Sequence, residues 1–322
     1  MNKIVPGIIN RRYLRVKAFQ AIYAQQIEST DYGVGRTNML KGIAHIYDLY
    51  LYLLQLAVEV HHRAELNIEL NKNKRIKTAE DDSPNLKFVN NKVLLILREN
   101  EPFQKEIREH KIDWGFESEN IKKLWRKIRD SNMYKTYMEG TTQTFDEDQN
   151  FAVKIFKKHI AEFEILHDYL EDVSIYWQDD LGFLIVNVFQ TIQNLKENTQ
   201  PEDKILFPLH KNKEDELKFV TDLYRKTLIN GDELDKTIDR FTINWDLDRI
   251  AKLDTILMKM ALCEMIYFPS IPLKVTINEY IDLAREYSTP KSAKFVNGVL
   301  DKMSQTLKSE GVIVKSGRGL LN

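Results

Sequence analysis

Residues Lys294–Met303 read KFVNGVLDKM. Val296, Val299, Leu300 and Met303 fall at i, i+3, i+4 and i+7, so one face of a helix is apolar. Thr289 and Pro290 just upstream fit a helix start, a capping hydroxyl followed by a residue whose φ is already helical. Two residues resist the pattern. Asn297 and Gly298 sit mid-helix, where glycine costs about 1 kcal/mol relative to alanine. Gly298 is expected to let a neighbouring helix approach closely, with Asn278 and Asn297 hydrogen-bonding across the contact. Phe295 is bracketed by Lys291, Lys294 and Lys302 on the flank of the apolar stripe. An aromatic between lysines suits single-stranded RNA, the ring stacking a base and the cations holding phosphates. Alternatively Phe295 widens the core stripe, four residues before Val299.

The same 3.6-residue period recurs along most of the chain. Of 322 residues, 43% are hydrophobic and 30% charged, as in a globular protein with a sizeable core. Twelve glycines and eight prolines make up about 6% of the chain, roughly half the usual share, so turns are few and the expected fold class is all-α. Asn10 caps a first helix with Leu14, Ala18 and Ile22 on its inner face. TDYGVGRTN then reads as a breaker before a long helix from about 39 to 70. Residues 71–91 and 196–216 read as polar connections, with helices near 92–111, 118–137 and 147–172 between them. LGFLIVNVFQTIQNL fits a buried helix or a strand, its flanks favouring helix, and four helices follow near 216–229, 232–242, 248–267 and 274–287.

Charge and motifs narrow the function. The net charge is −1, so a polyanion site must be a local feature. Such a feature opens the chain: Lys3, Arg11, Arg12, Arg15 and Lys17 precede the first acid, Glu28. Cations in the first turns of a helix oppose its dipole, and a bound phosphate reverses that penalty. The other reading is a solvated basic face, or arginines tied to acids elsewhere. The single cysteine, Cys263, lies in an apolar run and reads as a core thiol, which excludes a disulfide framework. His62 and Glu65 have the spacing of a helical metal pair but lack a second pair, so neither metal nor cofactor is expected. GVG at 33–35 and GRG near the C-terminus lack the remaining glycines of a dinucleotide turn. Trp114, Trp125 and Trp177 read as core residues. No apolar run approaches a membrane span and the first residues lack a signal-peptide core, so the expectation is a cytoplasmic protein without a membrane partner.

Two stretches together carry a resemblance. RRYLRVKAFQAIYA, and W-x-L-x-R followed by LDTILMKMALCEM and IPLKVTINEYIDLAREYSTPKSAKFVNGVLDKM, resemble the NusB family of transcription antitermination factors. The resemblance covers residues 10–27 and 216–308, and it implies a NusB-like core from 1–30 and 216–322 around a mostly helical insertion at 31–215. It implies a non-enzymatic RNA-binding protein that binds boxA-type RNA of ribosomal leader transcripts. The partners implied are NusE, a small-subunit ribosomal protein, and the RNA polymerase antitermination complex. The family's RNA surface falls here on Arg11, Arg12, Arg15, Lys291, Lys294 and Phe295, and its protein-partner surface on Tyr23 and Asp254. Lys291 stands where relatives often carry an acid, Lys259 replaces a common arginine and Cys263 a common tyrosine. Two other classes compete. NusB-like domains also occur fused to ribosomal RNA cytosine methyltransferases, which need a further doubly wound domain and a catalytic cysteine. A pure protein-interaction module would lack RNA contact altogether.

Overall fold

A computed structural model describes residues 6–115, 119–177, 179–242 and 251–321. Every regular element among them is helical. In chain order they are α1 (Arg11–Glu28), α2 (Tyr32–Lys72), α3 (Ala79–Asp82), α4 (Lys92–Glu99) and α5 (Glu101–Glu109). There follow α6 (Glu119–Arg129), α7 (Asn132–Glu139), α8 (Phe145–Ile155), a π turn at Phe156–Ile160, α9 (Glu164–Val173) and α10 (Leu181–Asn194). The chain closes with α11 (Lys213–Ile229), α12 (Gly231–Thr242), α13 (Lys252–Tyr267), α14 (Leu273–Tyr287) and α15 (Pro290–Ser309). It divides into two compact units. One holds residues 1–8 and 44–211, the other 9–43 and 212–322.

The second unit is organised around α13. Ile256, Leu257, Met258, Met260, Ala261, Leu262, Cys263 and Met265 are all buried, and a helix apolar on every side belongs at the centre of a bundle. α1, α11, α12, α14 and α15 pack against it. The Asn10 side chain caps α1 by accepting from Tyr13 N at 2.9 Å, and Leu14, Ala18 and Ile22 are fully buried. Thr289 caps α15 by accepting from Ser292 N at 3.1 Å, and Val296, Leu300 and Met303 line its buried face. Burial pushes the Cys263 thiol up to about 12, which makes it an inert apolar side chain at neutral pH.

Two local expectations are corrected. The chain does break before the long helix, but only at residues 29–31, and from Tyr32 on TDYGVGRTN is already helical. Ser29 closes α1 with a left-handed φ of 52°, and Asp31 starts α2 at once by accepting from Gly33 N at 2.7 Å. Gly35 lies against the Tyr224 hydroxyl, which donates to Gln25. The second correction concerns Gly298, which is exposed with open space where a Cβ would stand. No neighbouring helix needs the missing side chain.

α2 is long and apolar enough to cross a membrane by length and composition, although two-thirds of its most apolar stretch (67%) is buried inside the protein. That burial is what a core helix requires. From Ala44 onward α2 belongs to the first unit. Trp114 and Trp177 donate to the Tyr52 and His45 carbonyls at 2.9 and 2.8 Å, and Trp125 stacks on Phe88. All three tryptophans are buried. The 71–91 connection is exposed throughout only in its first part, since Asp81, Lys87, Phe88 and Asn91 return to the interior. Asn91 caps α4, and Asp148 accepts from Lys92 N and from the Tyr137 hydroxyl, so these buried polar groups are satisfied.

Candidate nucleic-acid interface

The three arginines of α1 diverge. Positions 11 and 15 share a face by i, i+4 spacing, whereas 12 points about 100° away. Arg12 reaches α14, where Nη1 donates to Asp282 Oδ2 at 3.0 Å. Arg285 donates to the other oxygen of the same carboxylate at 2.8 Å. Arg11 turns to α11, pairing with Asp215 at 3.1 Å and lying 4.2 Å above the Phe219 ring. Arg11 and Arg12 are both about two-fifths exposed, and pairs of that kind hold by less than about 1 kcal/mol, so a phosphate can displace the carboxylate.

Arg15 does not reach the surface, which corrects its expected place on the RNA face. It is 2% exposed and forms a two-pronged bond to Glu264, Nε and Nη2 each donating at 2.8 Å. Glu264 is wholly buried and also accepts from Thr276 Oγ1 at 2.7 Å. Burial alone lowers the Arg15 pKa, but the charge and hydrogen bonds of Glu264 outweigh it and the net shift is upward. The reason for the placement is the partner: α13 brings a carboxylate into the core that only a guanidinium fork satisfies.

Arg12 and Arg285 border a groove between α14 and α15. One part, about 690 Å³, is lined by Asn278, Asp282, Arg285, Lys294 and Asn297 among others. Its continuation of about 480 Å³ adds Lys274 and Asp301. With Arg12, four cations face two carboxylates. The amides of Asn278 and Asn297 can each donate and accept, as base edges require. Lys294 therefore shares a groove with Asp282, the partner of Arg12. Lys291 is exposed one turn earlier, and Phe295 is half-buried on the adjoining flank of α15.

Residues 184–305 match the family model described as the NusB family. Curated relatives agree. The chain is 44% identical over 104 residues to the transcription antitermination protein NusB of Chloroherpeton thalassium, covering 32% of this chain and 49% of the relative. The chain carries a NusB-family domain. The Salinibacter ruber NusB is 42% identical over 103 residues, 64% of its length, and that of Natranaerobius thermophilus 33% over 90 residues, 65% of its length. The chain thus spans half to two-thirds of the relatives it matches, and no solved structure matches it. The NusB match takes in most of α10, α11–α14 and most of α15 but not α1, so Arg12 joins the groove by its bond to Asp282 alone.

The partner-surface expectations separate. Tyr23 is exposed (38%) on α1. Asp254 is not: it is 2% exposed in the first turn of α13, where the helix dipole favours a carboxylate, and among the described residues its Oδ1 has no hydrogen-bond partner. Buried there, it cannot face a ribosomal protein. Lys259 is held by Asp235 at 2.5 Å. The positions of W-x-L-x-R, Trp245 to Arg249, lie outside the described residues. In the first unit Glu65 is taken by Arg98 at 2.8 Å, with His62 3.6 Å away, so the pair serves an ion-pair network. Among the described residues no group of three His, Cys, Asp or Glu is arranged around a metal.

Sequence reading missed Lys274, Asp282 and Arg285. Their signal is faint but present: 274, 278, 282 and 285 recur along one side of α14, and 294, 297 and 301 along one side of α15.

Proposed function

We propose that this protein is a transcription antitermination factor of the NusB type. In this reading it binds the single-stranded boxA element of ribosomal RNA leader transcripts together with NusE. It thereby helps RNA polymerase read through terminators in the cytoplasm, without catalysing a reaction. The observation that carries the reading is the α14–α15 groove. Arg12, Arg285 and Lys294 supply phosphate contacts there, and Asn278 and Asn297 supply hydrogen bonds for bases. Phe295 and Lys291 extend it along α15 as a stacking ring and a further cation, and base stacking on an aromatic contributes about 1–3 kcal/mol. Tyr23 is the residue proposed for the NusE contact.

The test is RNA affinity at fixed salt for Arg12→Ala, Lys294→Ala and Phe295→Ala. Each is expected to weaken boxA binding while leaving the helical content intact. Unchanged affinity in all three would favour the protein-interaction module, with RNA contact absent.

A further inference from the structure

The first unit carries a concentration of cations that the groove does not explain. On α6, Lys123, Arg126 and Lys127 stand at i, i+3, i+4, and all three are exposed. On the helix running from α8 into the π turn, Lys154, Lys157 and Lys158 repeat that spacing and are also exposed. No acid interrupts residues 120–129 or 149–161. Among the described residues Lys123, Arg126, Lys154 and Lys158 form no ion pair, whereas Lys122 and Arg129 beside them pair with Glu119 and Asp130. Cations at the end of a helix complement its dipole, which accounts for those in the last turns of α6, α8 and the π turn but not for Lys123, one turn earlier on α6.

The two stripes meet at His159. α6 packs against the π turn, and Lys127 donates to the Glu162 carbonyl at 3.2 Å while lying 5.6 Å from the Phe163 ring. Lys157 lies 5.1 Å from the Phe189 ring. The His159 ring is 8% exposed, and among the described residues neither nitrogen has a hydrogen-bond partner. Burial, then the charge of Lys127, lower its pKa; the Glu162 carboxylate opposes them and Lys158 adds to them, and the net shift is downward. The exposed lysines on either side of this buried ring leave a local excess of positive charge, with the Glu162 carboxylate opposing it at the ring and Glu119 at the start of α6. π turns of this kind recur at functional sites.

We infer that α6 and the π turn form a second phosphate-binding face, in which Lys123, Arg126, Lys127, Lys154, Lys157 and Lys158 hold the sugar–phosphate backbone of RNA irrespective of sequence. The inference takes RNA as the ligand from the reading above but uses none of the groove residues. A membrane surface fits less well. An interfacial helix needs an exposed apolar face, and the apolar faces of α6 and α8 (Ile121, Leu124, Trp125 and Ile128; Phe151, Val153 and Ile155) are buried.

The experiment uses the full chain, a boxA leader RNA, a scrambled RNA and vesicles of acidic phospholipid, titrated over a series of salt concentrations. The variants are Lys154→Gln/Lys157→Gln/Lys158→Gln, Lys123→Gln/Arg126→Gln, and the groove variant Arg12→Ala/Lys294→Ala, each checked by circular dichroism. Single-stranded binding has a slope in log K against log salt of about −0.7 per phosphate contact, so the triple variant should flatten it by about 2 on both RNAs. The ratio of boxA to scrambled affinity should stay unchanged. The groove variant should do the reverse, losing the ratio and keeping most of the slope on scrambled RNA. A wild-type chain with no boxA preference, whose slope still falls in the triple variant, would sink the antitermination reading and leave this face standing. Unchanged slopes in both lysine variants, loss of vesicle binding alone, or no RNA binding by the wild type would each overturn the face.

Discussion

Arg15 carries a positive charge into a site where it and Glu264 are all but sealed from water, at 2% and 0% exposure. Removing one partner of a buried pair strands the other charge, at a cost of about 3–5 kcal/mol. Arg15→Ala is therefore expected to lower the unfolding free energy by that amount in a urea titration. In the protein that stays folded, the salt dependence of RNA binding should not change. Arg12→Ala is expected to behave oppositely, changing stability by less than about 1 kcal/mol because its pair is exposed, and weakening RNA binding. An Arg15→Ala protein with wild-type stability would contradict the assignment. The sequence treats the two arginines alike because the partner that separates them lies 249 residues along the chain. Spacing shows only that they face different ways. The same limit applies to Asp254, whose charge suggested a partner and whose place on the central helix α13 puts it inside.

Helix positions were legible wherever period and cap agreed, as in α1 with Asn10 and α15 with Thr289 and Pro290. The break after α1 is confined to residues 29–31 and is shorter than the 30–38 stretch suggests, because glycines weigh as turn signals whereas Asp31 supplies an N-cap that lets Gly33 and Gly35 fall in the first turn of α2. Gly298 was misread in the other direction. Since nothing lies near its missing Cβ, Gly298→Ala is expected to stabilise the protein by about 0.5–1 kcal/mol through helix propensity alone, measured by thermal or urea unfolding. Destabilisation would restore the close-approach reading. The π turn has no sequence signature that periodicity detects, and its acid sensitivity is a second prediction at this scale. His159 in the folded state has a pKa below its ordinary 6.5, so below pH 6.5 the unfolded chain binds the proton more readily. Stability is complete above 6.5 and is lost as the pH falls from there through the folded-state value. His61, also buried and lowered, acts in the same direction. His159→Leu should flatten the loss seen in urea midpoints between neutral and mildly acidic pH, and an unaltered pH profile would argue against a neutral buried imidazole.

At the scale of the molecule, the all-α class and the NusB-family domain were both readable, one from the scarcity of glycine and proline with a persistent helical period, the other from a long ordered pattern through INEYIDLA and KFVNGVLDK. The groove was only half readable. Lys294 and Phe295 announced themselves beside one another, but Asp282, Arg285 and the two asparagines acquire meaning only when α14 and α15 lie side by side. The unit formed by residues 1–8 and 44–211 was the least legible, since its role rests on which helix faces remain exposed. The central claim is that the α14–α15 groove recognises a particular RNA and that NusE strengthens that recognition. Fluorescence anisotropy tests it most directly, with labelled boxA RNA and a scrambled control titrated against the full chain, alone and with NusE from the same organism. The account predicts tighter binding to boxA than to the scrambled RNA and a further gain when NusE is added. Equal affinity for the two RNAs, with and without NusE, would contradict it.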